Sequence, residues 1–317
     1  MKKEKDYSIV FLRAIAILIV MIGHSIIIYD SAWGLYTSSI QSPFLATIKH
    51  IINIIQMPIW FFIAGYLYKK KAFKTTFMDK FCKLMIPFLM VGLFYLIPIR
   101  YLVHYQNYVT HSILYNILYY LILGFDNGHL WYLPTLFIMF LFFYKKEYSK
   151  FFKIILFVVL AILSIYSFYF SSYIISLFQF AIFFYLGILA QNVSLKKDWS
   201  PYLLILYFTF LLLFQFASLP FLVSRVITLF LQILEIVLLV KIDYSRWGKN
   251  SIIQKIADAS YGIYLFHSPL IYITFSKIPN AHPIIIILIN FCLFGSLSYL
   301  LFFIIRRTKF KFIIGEK

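Results

Sequence analysis

The feature that most constrains this sequence is a series of apolar runs, each about long enough to cross a bilayer as a helix. A crossing takes roughly 20 mostly apolar residues, because a helix rises ~1.5 Å per residue through a hydrocarbon layer ~30 Å thick. Such runs lie at 8–28, 47–68, 84–103, 130–144, 152–170, 174–190, 201–217, 221–240, 260–276 and 283–305. Only 13% of the residues are charged and 63% are hydrophobic, against ~25% charged in a soluble domain. A water-soluble fold would leave large apolar areas in water, and the 11 Gly and 10 Pro are too few for collagen-like or disordered chain. The expectation is an all-α, polytopic membrane bundle forming one domain over 1–317, with no appended soluble domain.

The net charge of +18 would suggest nucleic-acid binding in a soluble protein. In a membrane protein it is tested by position, since cytoplasmic loops collect Lys and Arg. One further apolar segment, 112–124, is short and follows the polar stretch HYQNYVTHS. If it does not cross, and the N-terminus is cytoplasmic, one side holds loops 1–7, 69–83, 145–151, 191–200, 241–259 and 306–317. With Lys153 at a helix edge, these carry 24 of the 29 basic residues. The reading is therefore ten transmembrane helices, both termini cytoplasmic, and a re-entrant or interfacial element near 104–129. The charge becomes an orientation signal and not a nucleic-acid signature. Arg13, Lys49, Arg100, Arg225 and Lys277 are left over. MKKEK followed by an apolar run looks like a signal sequence, but Arg13 interrupts the run and no small-residue cleavage site follows, so it reads as a retained first span. The two cysteines, Cys82 and Cys292, imply no disulfide framework.

Within the first run, YSIVFLRAIAILIVMIGHSIII, Arg13 and His24 are 11 residues apart. That is almost three turns, so both project from one helix face, about 16 Å apart along the axis. An arginine inside a span is costly and normally faces a bundle interior or a water-filled cavity, with snorkelling to the interface the plainer alternative. Guanidinium suits the phosphates of a cytosolic donor, and a histidine can deprotonate a hydroxyl or carry a transferred group. The combination suggests acyl transfer from acyl-CoA to an alcohol.

Four segments in order carry a family resemblance: Arg-x10-His in the first run, MPIWFFIAGYLYKK at 57–70, HLWYLPTLF at 129–137 and ASYGIYLFHSPLI at 259–271. Together they resemble the acyltransferase-3 family of membrane O-acyltransferases. The His-Leu-Trp-Tyr-Leu form is most similar to the fucose 4-O-acetylase-like, exopolysaccharide acetyltransferase branch. Two departures stand out: Val10 where many members have an acid three residues before the arginine (Asp6 lies a turn further back), and Lys80 and Lys83 where a paired arginine is common.

The resemblance implies that His24 and Arg13 are catalytic. Arg13, Lys80 and Lys83 would hold acetyl-CoA as donor substrate, with no permanently bound cofactor and no metal. Substrate-binding candidates are His129, Trp131, Tyr132, Tyr264 and His267. Trp131 and Tyr132 also suit an interfacial aromatic belt, and Asp126 and Asn127 suit either sugar hydroxyls or a plain turn. Ser260, Tyr264 and His267 share a helix face. Glu235, at the depth of Arg13, is a candidate ion-pair partner for it. The implied activity is O-acetylation of a cell-surface or exported glycan at the plasma membrane. The composition hints at an AT-rich bacterial genome. Alternatives are transfer of succinyl or another acyl group, and a transporter of glycan or lipid-linked glycan.

Overall fold

The computed structural model describes residues 6–31, 33–69, 71–144, 149–191 and 201–316. Among these, every regular element is helical. Lys2, Lys3, Lys5, Lys70, Lys145, Lys146, Lys196, Lys197 and Lys317, which enter the orientation argument, lie outside the described residues. The principal helices are α1 (Tyr7–Ser25), α2 (Pro43–Tyr66), α3 (Phe73–Leu102), α4 (Ile113–Ile122), α5 (Gly128–Phe142), α6 (Lys150–Ile165), α7 (Ser172–Ala190), α8 (Pro201–Gln215), α9 (Phe221–Lys241), α10 (Ser251–Lys277) and α11 (Pro283–Arg306). All but α4 coincide with one of the apolar runs. Six of them, α1, α2, α3, α7, α9 and α11, are long and apolar enough to cross a membrane.

Helix α4 spans ten residues, about 15 Å, or half the hydrocarbon thickness. Its surroundings show where it goes. Arg100, near the end of α3, meets Asp126, just before α5, at 2.7 Å. The chain between them thus leaves and returns at one level.

Helix α1 lies inside the bundle, against α2 and α10. Its N-terminus is capped by Asp6, whose carboxylate accepts from the backbone N–H of Ser8 and Ile9. Helices α2 and α7 approach most closely where both carry glycine. A Cβ on Gly65 would lie 2.0 Å from the carbonyl oxygen of Phe184, and one on Gly187 would lie 2.2 Å from that of Phe62. Any side chain there would part the two backbones.

Three prolines inside helices account for further contacts between helices. A proline has no N–H, so the carbonyl four residues earlier loses its partner. In a bilayer that carbonyl must be satisfied from elsewhere in the protein. Pro58 frees Ile54 O, which accepts from Gln232 Nε2 of α9 at 2.9 Å. Pro87, just after a wide π turn at Phe81–Met85, frees Lys83 O, which accepts from Tyr261 Oη of α10 at 2.8 Å. Pro269 frees Leu265 O, which takes His129 Nε2 at 3.1 Å.

Two of the leftover basic residues have structural roles. Arg225 caps the end of α6, donating to Ser164 O and Ser167 Oγ at 2.9 and 2.7 Å. Arg100 is fully buried. Besides Asp126 it donates to Tyr272 Oη at 3.1 Å, and its guanidinium carbon lies 4.5–4.9 Å from the ring centres of Tyr105, Tyr108 and Tyr272. Asn107 and the Asp126 carbonyl, bonded by Tyr108 Oη, complete the clasp. It holds the turn from which His129 emerges.

Removing the carboxylate leaves a buried cation, a loss of about 3–5 kcal/mol. Asp126→Ala is therefore expected to lower the thermal unfolding temperature in detergent markedly. The double variant Arg100→Met/Asp126→Leu, which removes both charges, should lose clearly less.

Candidate active site

Helices α1 and α10 run in the same direction and are joined at two levels. At the first, Arg13 Nη2 donates to Ala257 O at 2.7 Å and to Ser260 Oγ at 3.2 Å. At the second, His24 Nδ1 lies 2.8 Å from His267 Nε2, with the rings stacked at 5.0 Å. The 11-residue spacing on α1 thus places both polar groups on the face toward α10, as the helical period requires.

Which nitrogen carries each proton follows from the partners, since a backbone carbonyl only accepts. His267 Nδ1 sits 2.8 Å from Ile263 O and 3.1 Å from Tyr264 O, so it is the donor. Neutral His267 must then accept at Nε2, and His24 Nδ1 must donate to it. The lone pair of His24 is left on Nε2, which no described residue bonds. His129 obeys the same logic. Its Nε2 donates to Leu265 O, and its Nδ1 is buried without a partner. Tyr264 Oη donates to the carbonyl of His129, fixing that turn against α10. The rings of His129 and His267 are 5.7 Å apart.

These groups line one cavity, of about 70 Å³, enclosed by Val20 and His24 of α1, Gln56, Met57 and Trp60 of α2, His129, Trp131 and Tyr132 of α5, and Tyr264 of α10. At ~10–15 Å³ per probe-sized water, that is room for roughly five waters. His24, His129, Trp131, Tyr132 and Tyr264, scattered over the sequence, are brought to this one space, and His267 stands behind His24. Trp131 also stacks on Phe180 at 5.7 Å and Tyr132 packs edge-on to Phe61 at 4.8 Å, so each has a packing role as well.

The other candidates lie elsewhere. Lys83 Nζ pairs with Asp79 at 3.1 Å, and Lys80 Nζ lies 3.7 Å from the ring centre of Phe140. No contact joins either side chain to Arg13. The link is indirect: Lys83 O is held by Tyr261, the neighbour of Ser260, so the chain around Lys83 docks on α10 near the Arg13 level. Asp126 serves Arg100, and Asn127 donates to Tyr173.

The expected Arg13–Glu235 ion pair does not form. Glu235 is buried beside a second, apolar cavity with Leu12, Ile15 and Ile19. At 100° per residue that face of α1 is turned roughly 150° from the one bearing Arg13 and His24. Position along a helix does not fix azimuth, and here azimuth separates Glu235 from Arg13.

Gln56 and Trp60 escaped the sequence reading. They are four residues apart on α2 and so share a face, and both fall in or beside the MPIWFF segment. That spacing was the available signal, hidden among many apolar aromatics. Among the described residues, no group of three or more His, Cys, Asp or Glu is arranged to hold a metal ion.

No curated protein and no solved structure matches the chain. One family model does: the acyltransferase-3 model, described as an acyltransferase domain, over residues 6–307. With nearly its whole length matched, the chain belongs to the acyltransferase-3 family of membrane acyltransferases.

Proposed function

We propose that the protein is a plasma-membrane O-acetyltransferase of a bacterial cell, moving acetyl from cytoplasmic acetyl-CoA to a hydroxyl of a cell-surface or exported glycan. The observation that carries this reading is the free Nε2 of His24 at the cavity wall. A neutral imidazole held by its other nitrogen is oriented to act as general base or as acyl-accepting nucleophile.

As base, His24 Nε2 takes the proton of the acceptor hydroxyl while its oxygen attacks the thioester carbonyl. The C–O bond forms, the C–S bond breaks, and the proton passes from His24 to the departing thiolate. His267 steadies the imidazolium through the Nδ1–H bond, with its own tautomer fixed by Ile263 O and Tyr264 O. As nucleophile, the same nitrogen would carry acetyl between donor and acceptor. Both routes use one atom.

At the other level, Arg13 commits only Nη2 to α10. Nε and Nη1 have no partner among the described residues, which leaves guanidinium donors for a phosphate or the CoA pantetheine amides. Lys80 and Lys83 would add positive charge nearby. The aromatic walls of the cavity, Trp131 and Tyr132, suit a sugar ring.

The test uses purified protein, radiolabelled acetyl-CoA and envelope polysaccharide. Wild type is expected to label the polymer, and His24→Ala to lose at least about 10²-fold while unfolding at an unchanged temperature. Equal labelling by the variant contradicts the assignment of His24. Pro269→Ala restores an N–H that competes with His129 for Leu265 O. It is expected to keep the fold and lower kcat, measured in the same assay.

A further inference from the structure

The cavity wall holds polar atoms that folding leaves unpaired. Trp60 Nε1, Gln56 Oε1 and His129 Nδ1 are all buried without a hydrogen-bond partner, and all three residues face the space that His24 faces. Buried polar groups are nearly always satisfied, so a cluster of exceptions around a cavity indicates atoms a ligand completes. The chemistry of each is fixed. An indole N–H can only donate, whereas Gln56 Oε1, with Nε2 donating to Asn53 Oδ1, and His129 Nδ1, with Nε2 donating to Leu265 O, can only accept. Trp60 therefore needs a ligand acceptor atom, and the other two need ligand hydroxyl protons.

Resting on the acyl-transfer reading, we propose that Trp60 Nε1–H is the oxyanion donor of the reaction, and that Gln56 and His129 seat hydroxyls of the acceptor. When the acceptor oxygen attacks the acyl carbon, the C=O electron pair moves onto the carbonyl oxygen, and the hydroxyl proton moves to His24 Nε2. The negative oxygen receives the Trp60 N–H. Collapse restores C=O, expels the thiolate, and returns the proton from His24 to sulfur. A donor placed in advance acts most strongly where charge develops. Trp60 is held for this by its edge-on contact with Tyr132, at 6.3 Å, on the same wall. Tyr264 cannot substitute, because its hydroxyl proton is given to the His129 carbonyl.

Trp60→Phe keeps an aromatic ring against Tyr132 and removes only the donor and one ring. It is expected to lower kcat for acetyl transfer by about 10²–10³-fold, with KM for acetyl-CoA unchanged. The acceptor-free hydrolysis of acetyl-CoA by the same protein, with water as nucleophile, should fall by the same factor. Trp60→His, which retains a ring N–H, should recover part of the loss; a His variant no faster than Phe overturns the proposal. So does a Trp60→Phe protein within threefold of wild type in both assays. A change confined to KM for the polysaccharide would make Trp60 a sugar-stacking residue and equally overturn the oxyanion role. Wild type without transfer or hydrolysis would instead reject the acyl-transfer reading itself.

Discussion

A carbonyl freed inside a bilayer has no water to turn to, and much of this structure follows from three such carbonyls. Pro58, Pro87 and Pro269 each interrupt a helix that would otherwise satisfy its own backbone. Gln232, Tyr261 and His129 each reach across from another helix to repair the break. These bonds tie α9 to α2, α10 to α3 and α5 to α10. Two of the three involve α10, the helix that also receives Arg13 and His24. The prolines are thus fixed points from which the side chains of the site are positioned.

The same constraint sets the protonation pattern. His129 gives Nε2–H to the carbonyl freed by Pro269, so its Nδ1 becomes the lone-pair nitrogen in the cavity. His267 gives Nδ1–H to its own helix, so its Nε2 must accept and His24 must donate. No acid is needed in this chain, unlike a Ser-His-Asp arrangement in which a carboxylate fixes the tautomer. Backbone carbonyls do that work here, without placing another charge in the membrane. The Arg100–Asp126 clasp, set off to one side, fixes the turn that delivers His129 and needs no direct contact with the chemistry.

The sequence made the helices legible because apolar runs are local, and it made the Arg13–His24 face legible because helical period is local. The four ordered motifs pointed to the family, and their histidines do converge. What could not be read was azimuth between helices. Glu235 shares the depth of Arg13 but meets the opposite face of α1, beside Leu12, Ile15 and Ile19. Arg100 looked like an unexplained cation, because its partner lies 26 residues on, beyond a helix too short to cross. Gln56 and Trp60 were invisible for another reason: their significance is that they lack partners, which only a packed structure can show. The segment ASYGIYLFHSPLI carries Pro269 as one letter of a pattern, and the physical content of that proline lies in the bond from His129 to Leu265 O.

The most direct measurement is the tautomer of His24. Protein carrying ¹⁵N-labelled histidine, reconstituted in lipid and compared with His24→Gln to assign the signal, reports which ring nitrogen bears the proton in the neutral form. Protonation at Nδ1, with Nε2 unprotonated, and loss of the Nδ1 coupling in His267→Ala, would support the arrangement on which the proposed chemistry rests. A proton on Nε2 would leave no lone pair facing the cavity and would contradict it.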